Sequence, residues 1–301
     1  MMTKYLFALG VAAVFLILGV QQVCVVPSIA APPGQVRRQH EVGSDAPEAK
    51  IPHRLVFIYC NKNNDLIEED LSTLKGDFRW MARNVRRSVG LYRAAWNESS
   101  AEAVFLTDDK CRRIIKQTDR RLYDAFDKET NGAHKSDICR FADLLHNGGY
   151  YLDNDLAVVK PPLFSPTTTL ALVMPSEPQN LLTLFNPVFV AVAPRHPVVA
   201  ETIQVMIEYY QGKIDPVKDL GTPNRGMGCF VFRHAYQRVV AANPSIAPTV
   251  KFLHEINLLD NRQWKPEIER DPAWRHWNHA ILDLATDEMH FCAKRLKTVV
   301  S

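Results

Sequence analysis

The chain has 301 residues, 47% of them hydrophobic and 23% charged, which is enough to bury a sizeable core and excludes disorder as its default state. Its formal net charge of +3 is spread without a long basic block, so nucleic acid is excluded as the main partner, because phosphate binding needs clustered Lys and Arg. The six cysteines form no C-x-x-C pair, which leaves zinc and thioredoxin-type sites with little support.

Residues 1–26 contain an uncharged, mostly apolar stretch from Tyr5 to Val26 behind Lys4, long enough to anchor the chain in a bilayer. The run Leu6 to Val20 followed by Ser28-Ile29-Ala30 fits a cleaved signal peptide equally in kind. The anchored reading gives a single-pass type II membrane protein with a lumenal catalytic domain, in the Golgi or another secretory compartment if the cell is eukaryotic. The cleaved reading gives a secreted one. Residues 27–50, mixing Pro, Ala, Gly and charge without apolar period, read as a flexible stem, and 51–301 as the folded body. Such a compartment permits disulfides, but the body cysteines Cys60, Cys111, Cys139, Cys229 and Cys292 cannot all pair within one chain, and at most two bridges are expected. Asn97-Glu98-Ser99 is a glycosylation tripeptide that follows an expected helix end.

The body opens with Leu55-Val56-Phe57-Ile58-Tyr59, a β-rich apolar run that predicts a buried strand. Val85, Val89, Tyr92 and Trp96 recur at helical spacing and predict an amphipathic helix between Phe78 and Trp96. Ala103 to Leu106 reads as a second strand, followed by a helix that Asp108 and Asp109 open as cap and dipole partners rather than as metal ligands. This alternation predicts an α/β fold with a mixed, mainly parallel sheet.

The stretch from Lys135 to Leu156 carries the chemistry. Ser136 reads as an N-cap, Ile138, Phe141, Ala142 and Leu145 as a helical stripe, and Gly148 as the stop. Asp137 and Arg140, three residues apart, share a helix face and point to a ligand. Tyr150 to Leu152 then form a strand ending at Asp153-Asn154-Asp155, where open α/β sheets place ligands. In extended chain Asp153 and Asp155 face one way and Asn154 the other. Two such carboxylates suit Mn²⁺ or Mg²⁺, whose remaining positions are filled by substrate phosphates and water.

Taken together, S-D-x-x-R, a short helix, G-G-Y-Y and L-D-x-D resemble the family 32 glycosyltransferases, the group with a D-x-D sugar-binding region that includes fungal mannosyltransferases. The likeness is densest from Lys135 to Lys160 and continues to Asn186-Pro187 and Pro194-Arg195-His196-Pro197. It implies a GT-A type nucleotide-sugar-binding fold and metal-dependent hexosyl transfer from a GDP- or UDP-sugar to a glycan, glycolipid or glycoprotein, with retention. By the same resemblance, Asp153 and Asp155 hold the metal, and Asp153, Asp155 and Arg140 carry the chemistry. Asp137, Arg140, Asn154 and Asp153 contact the donor. The chain departs from the family at Ile51-Pro52-His53-Arg54, where many members have I-P-x-I-I-H-Q, and at Gly221 to Gly228, where many have a shorter T-G-P segment. His276, Trp277, His279, His290 and Arg295 offer late-loop contacts, none of them assigned as a third metal ligand. Two rival classes share the D-x-D pattern: a metal-dependent phosphohydrolase with Asp153 as nucleophile, and a non-catalytic sugar-nucleotide-binding protein.

Overall fold

The computed structural model describes residues 50–60, 65–175, 185–215, 227–257, 279–286 and 288–293. The expected anchor, the stem before Lys50, and Gly221 to Gly226, His276, Trp277 and Arg295 lie outside them. Among the described residues no helix is long and apolar enough to cross a membrane.

The elements run β1 (Arg54–Ile58), α1 (Gly76–Trp96), β2 (Glu102–Leu106), α2 (Asp108–Thr118), α3 (Arg120–Lys128), α4 (Gly132–Asn147), β3 (Gly149–Leu152), β4 (Leu156–Val158), β5 (Leu170–Met174), β6 (Asn186–Val192), α5 (Pro197–Tyr210), α6 (Met227–Ala242), β7 (Val250–Asn257), β8 (His279–Asp283) and β9 (Glu288–Ala293). Among the described residues the strands form one nine-stranded sheet in the order β2-β1-β3-β6-β5-β7-β8-β9-β4. The mixed α/β architecture is as expected, with one correction. Only β1 with β2, β1 with β3 and β5 with β7 pair in parallel, and the other five pairings are antiparallel, so the sheet is not mainly parallel. Parallel neighbours need a long crossover, which α1 supplies between β1 and β2. β8 and β9 are too close in sequence for one and pair antiparallel.

Asp153, Asn154 and Asp155 alone separate β3 from β4, yet these strands stand third and last in the sheet order. So short a link cannot cross a flat sheet of that width, so the sheet curls until β4 returns close to β3. Asn84 of α1 fixes the return by donating its amide to the carbonyls of Asn154 at 2.8 Å and Leu156 at 3.1 Å. Inside the curl, Val85, Val89 and Tyr92 of α1 pack with Leu156, Phe189 and Phe291. On the outer face Ile115, Phe141, Val205 and Phe232 of the other helices make the second core. The Phe141 and Phe232 rings meet at 4.8 Å, and burying each contributes about 1.5–3 kcal/mol.

Two features hold α4 against the sheet. Arg54 donates to both oxygens of Asp143, at 2.7 and 3.0 Å, with both side chains buried. This gives the unusual Ile51-Pro52-His53-Arg54 sequence a structural role at the edge of the sheet opposite the acidic residues. Gly148 and Gly149 then let the chain pass between its neighbours. A Cβ on Gly148 would lie 2.7 Å from the Val192 carbonyl, and one on Gly149 2.6 Å from that of Arg54, and both residues have positive φ.

Candidate active site

The helix that presents Asp137 and Arg140 starts earlier than its sequence suggests. Asn131, not Ser136, is the N-cap of α4, its side chain accepting from the Ala133 N–H at 2.9 Å. A disulfide between Cys111 and Cys139 ties α4 to α2. The same helices are joined by Lys135, whose Nζ lies 2.6 Å from Asp108. Asp108 therefore has the structural role read from its place in the first turn of α2.

The acidic motif is not extended. β3 ends at Leu152, and the next residues turn so that the Leu156 N–H donates to the Asp153 carbonyl at 3.0 Å. The alternation argued from an extended strand therefore fails, because the chain must turn here to reach β4. Asp153 and Asp155 nevertheless remain near neighbours, since the charge of Asp153 raises the pKa of Asp155. Asn154 turns inward and is buried. Its amide donates to the Ile58 carbonyl at 2.8 Å, and its Oδ1 has no partner among the described residues.

Arg140 is buried between two of the carboxylates, with one terminal nitrogen 3.3 Å from Asp137 and 3.4 Å from Asp153. The other donates to the carbonyl of Pro187, and the guanidinium lies over the Tyr151 ring, 4.1 Å from its centroid. Tyr151 in turn donates its hydroxyl to Asp153. Asp137 accepts the Gly228 N–H at 2.9 Å. Burial opposes the charge on Arg140, but Tyr151, Asp137 and Asp153 outweigh it and hold it ionised.

One guanidinium cannot neutralise three carboxylates. Burial raises the pKa of Asp137 and of Asp153 despite the help of Arg140. Asp155, which lacks that help, is pushed up to about 7, by burial first and by Asp153 second. The surplus of buried negative charge and the hard carboxylate oxygens fit a divalent cation such as Mn²⁺ or Mg²⁺. Among the described residues no group of three or more His, Cys, Asp or Glu converges as a closed metal cage.

The structure thus brings together Asp137, Arg140, Asp153 and Asp155, with Asn154 beneath them. It does not bring in the described late histidines. His290 is buried on β9, its Nδ1 3.1 Å from the Lys160 carbonyl, and His279 pairs with Glu255 at 3.0 Å. Tyr151 and Cys229 were not singled out as site residues, and Gly228 was noted as the end of the segment Gly221 to Gly228. Tyr151 carried a usable signal, since it stands two residues before Asp153. The contribution of α6 had none, because it depends on tertiary packing.

Residues 85–174 match the family described as "Glycosyltransferase sugar-binding region containing DXD motif", and all four site residues fall within the matched stretch. No curated protein matches the chain. Among solved structures it is similar to one titled "PaToxG Glycosyltransferase", with 16% identity over 66% of this chain and 74% of the other and a TM-score of 0.40. It is also similar to a transferase mutant, with 12% identity over 67% and 91% and a TM-score of 0.41. A third is the ligand-free glycosyltransferase domain from the YGT toxin, with 10% identity over 60% and 58% and a TM-score of 0.31.

Proposed function

We propose that the chain is a metal-dependent glycosyltransferase that moves a hexosyl group from a GDP- or UDP-sugar to a glycan, glycolipid or glycoprotein acceptor, with retention of configuration. The observation that carries this reading is the placement of Arg140 between Asp137 and Asp153 beside the D-x-D turn, inside the matched sugar-binding region.

Asp153 and Asp155 would hold Mn²⁺ or Mg²⁺, which supplies charge neutralisation of the departing diphosphate. Arg140 has its two terminal nitrogens committed to Asp137, Asp153 and Pro187, so its task is to fix the two carboxylates in position. Tyr151 holds Asp153 from the strand side, leaving the other carboxylate oxygen for the cation. Asp137, anchored by Gly228, presents an acceptor for donor hydroxyls. Transfer with retention would bring the acceptor hydroxyl to the anomeric carbon from the leaving-group side. The N-terminal segment would place the domain in the secretory lumen or outside the cell, as membrane anchor or signal peptide. The Cys111–Cys139 disulfide supports an oxidising compartment.

The test is donor hydrolysis by the protein against UDP- and GDP-sugars with Mn²⁺, Mg²⁺ or EDTA, beside Asp155→Asn. Metal-dependent release of one nucleotide, lost in the variant, is expected. Metal-dependent phosphate release from a phosphomonoester, with no donor turned over, would replace the reading by a phosphohydrolase.

A further inference from the structure

α3 and α5 both end at the edge of the sheet that carries the acidic turn. β3 reaches that edge at Leu152, and β6, antiparallel to it with Phe189 opposite Leu152, starts there and leaves at the other edge. α5 follows β6, and its 14 residues span about 21 Å, enough to bring Tyr210 back across the sheet. α4 leads into β3 and so starts at the same edge, directly after α3. Hydrogen bonds join these ends. The Tyr210 hydroxyl donates to Glu129 Oε2 at 2.7 Å, and His134 Nδ1 of α4 lies 3.2 Å from the same oxygen. His134 and Asp137 share a face of α4, about 4.5 Å apart along its axis.

Between the ends of α3 and α5 opens a cavity of about 440 Å³, lined chiefly by Arg121, Asp124, Lys128, Glu129, Tyr210 and Gln211. Its charges are balanced. Arg121 is paired with Asp119 at 2.8 Å and Asp124 with Arg120 at 3.2 Å, which leaves Lys128 against Glu129. Glu129 is a fixed wall, since its Oε1 also accepts the N–H groups of Thr130 at 2.9 Å and Asn131 at 2.8 Å. The side chains of Lys128 and Gln211 are exposed and make no hydrogen bond or ion pair with another described residue. The Tyr210 oxygen gives its proton to Glu129 and can still accept one. The cavity therefore offers an ammonium donor, a carboxamide that donates and accepts, and a phenol that accepts, without net charge. That set suits a neutral polyhydroxyl ligand better than an anion.

We infer that this cavity binds the acceptor, and that the acceptor is a neutral saccharide. The inference rests on the glycosyltransferase reading and deepens it. The cavity volume lies within the range of about 300–1,000 Å³ usual for small-molecule sites. A saccharide seated there lies beside the face of α4 that bears Asp137, which is where an acceptor hydroxyl must arrive to meet the donor sugar. Lys128 and Gln211 read its hydroxyl groups from the ends of α3 and α5. Tyr210 is held in one orientation by Glu129, and Glu129 by the backbone that opens α4, so this wall is pre-organised before the ligand enters.

The test measures binding of the full chain, with Mn²⁺ and UDP or GDP present, to an immobilised panel of neutral oligosaccharides and of uronic-acid oligosaccharides. Wild-type protein, Lys128→Ala and Gln211→Ala are compared, with thermal unfolding and affinity for the free UDP or GDP measured for each. The wild-type chain is expected to retain a neutral oligosaccharide, and each variant to bind it about threefold to tenfold more weakly. The loss is confined to the saccharide, with the unfolding temperature and the nucleotide affinity close to their wild-type values. Retention that neither variant weakens, a preference for the uronic-acid set, or no saccharide retained by a chain that hydrolyses a UDP- or GDP-sugar would each overturn this inference alone. A wild-type chain that retains a saccharide in a variant-sensitive way but hydrolyses no donor would overturn the glycosyltransferase reading, and the acceptor role with it.

Discussion

The backbone N–H of Gly228 donates to Asp137 at 2.9 Å, so close that a Cβ on this glycine would lie 2.4 Å from the carboxyl carbon. α6 thereby sets the position of a carboxylate borne by α4. Gly228→Ala must push Asp137 aside, and Asp137 is short, buried and held by Arg140. The same change favours the helix by up to about 1 kcal/mol. The expected outcome is a loss of donor turnover of about tenfold or more with an unfolding temperature close to the wild-type value. A fully active variant would show that Asp137 needs no fixed position.

Cation binding should depend on pH through Asp155. Its folded-state pKa of about 7 lies above the ordinary 3.8, so below 7 the carboxyl carries a proton that the cation must displace. Manganese affinity measured by calorimetry should rise by up to about tenfold per pH unit between pH 5 and 7, then level off. The sign for stability is opposite. The cost of burying this charge is absent below pH 3.8 and complete above about 7, so the metal-free protein loses this contribution as pH rises through that window.

His196 governs the acid side. It is the N-cap of α5, its Nδ1 accepting from Val198 at 3.2 Å, and its Nε2 lies 3.2 Å from the Thr169 hydroxyl. Burial lowers its pKa from 6.5 to about 4. With the folded value depressed, the neutral histidine's contribution is complete above pH 6.5 and lost as pH falls towards 4, by about 3 kcal/mol at most. His196→Asn keeps a capping oxygen and removes the titration. Its unfolding temperature should fall less than that of the wild-type chain between pH 6.5 and 4.5, as followed by circular dichroism.

The Cys111–Cys139 bridge closes a loop with a sequence separation of 28. Cys111→Ser with Cys139→Ser should cost about 3 kcal/mol in denaturant unfolding. Lys135 and Asp108 still join the same helices, so the double variant is expected to fold and to keep part of its donor turnover. Equal stability with and without the bridge would show that packing alone fixes α4.

The local parts of this site were legible because they rest on local patterns. Asp137 and Arg140 share a helix face at a spacing of three, and Gly148 ends that helix as its position suggests. The D-x-D geometry was misread as extended because alternation assumes that a strand continues, whereas here the chain turns to join a strand at the far end of the sheet. The parallel character was overstated for a related reason, since pairings such as β3 with β6 follow from tertiary order and leave no periodic trace. Gly228 stands far from the motif in sequence, and its bond to Asp137 depends on how α6 packs against α4. Asn186 lay inside the recognised likeness, but its bond to Glu255 depends on the folded sheet.

The return of β4 also orders events during synthesis. β4 pairs with β9 through Leu156 with Ala293, Ala157 with Cys292 and Val158 with Phe291. The acidic turn is therefore bounded on one side by a strand whose partner lies far later in the sequence and is made long after it. Contacts of such long range form late, because the intervening chain must first be brought together. A growing chain can complete β1, β2 and β3 well before that partner exists. The acidic turn acquires its second boundary only once β9 exists, so a chain cut short before β9 cannot assemble the whole site.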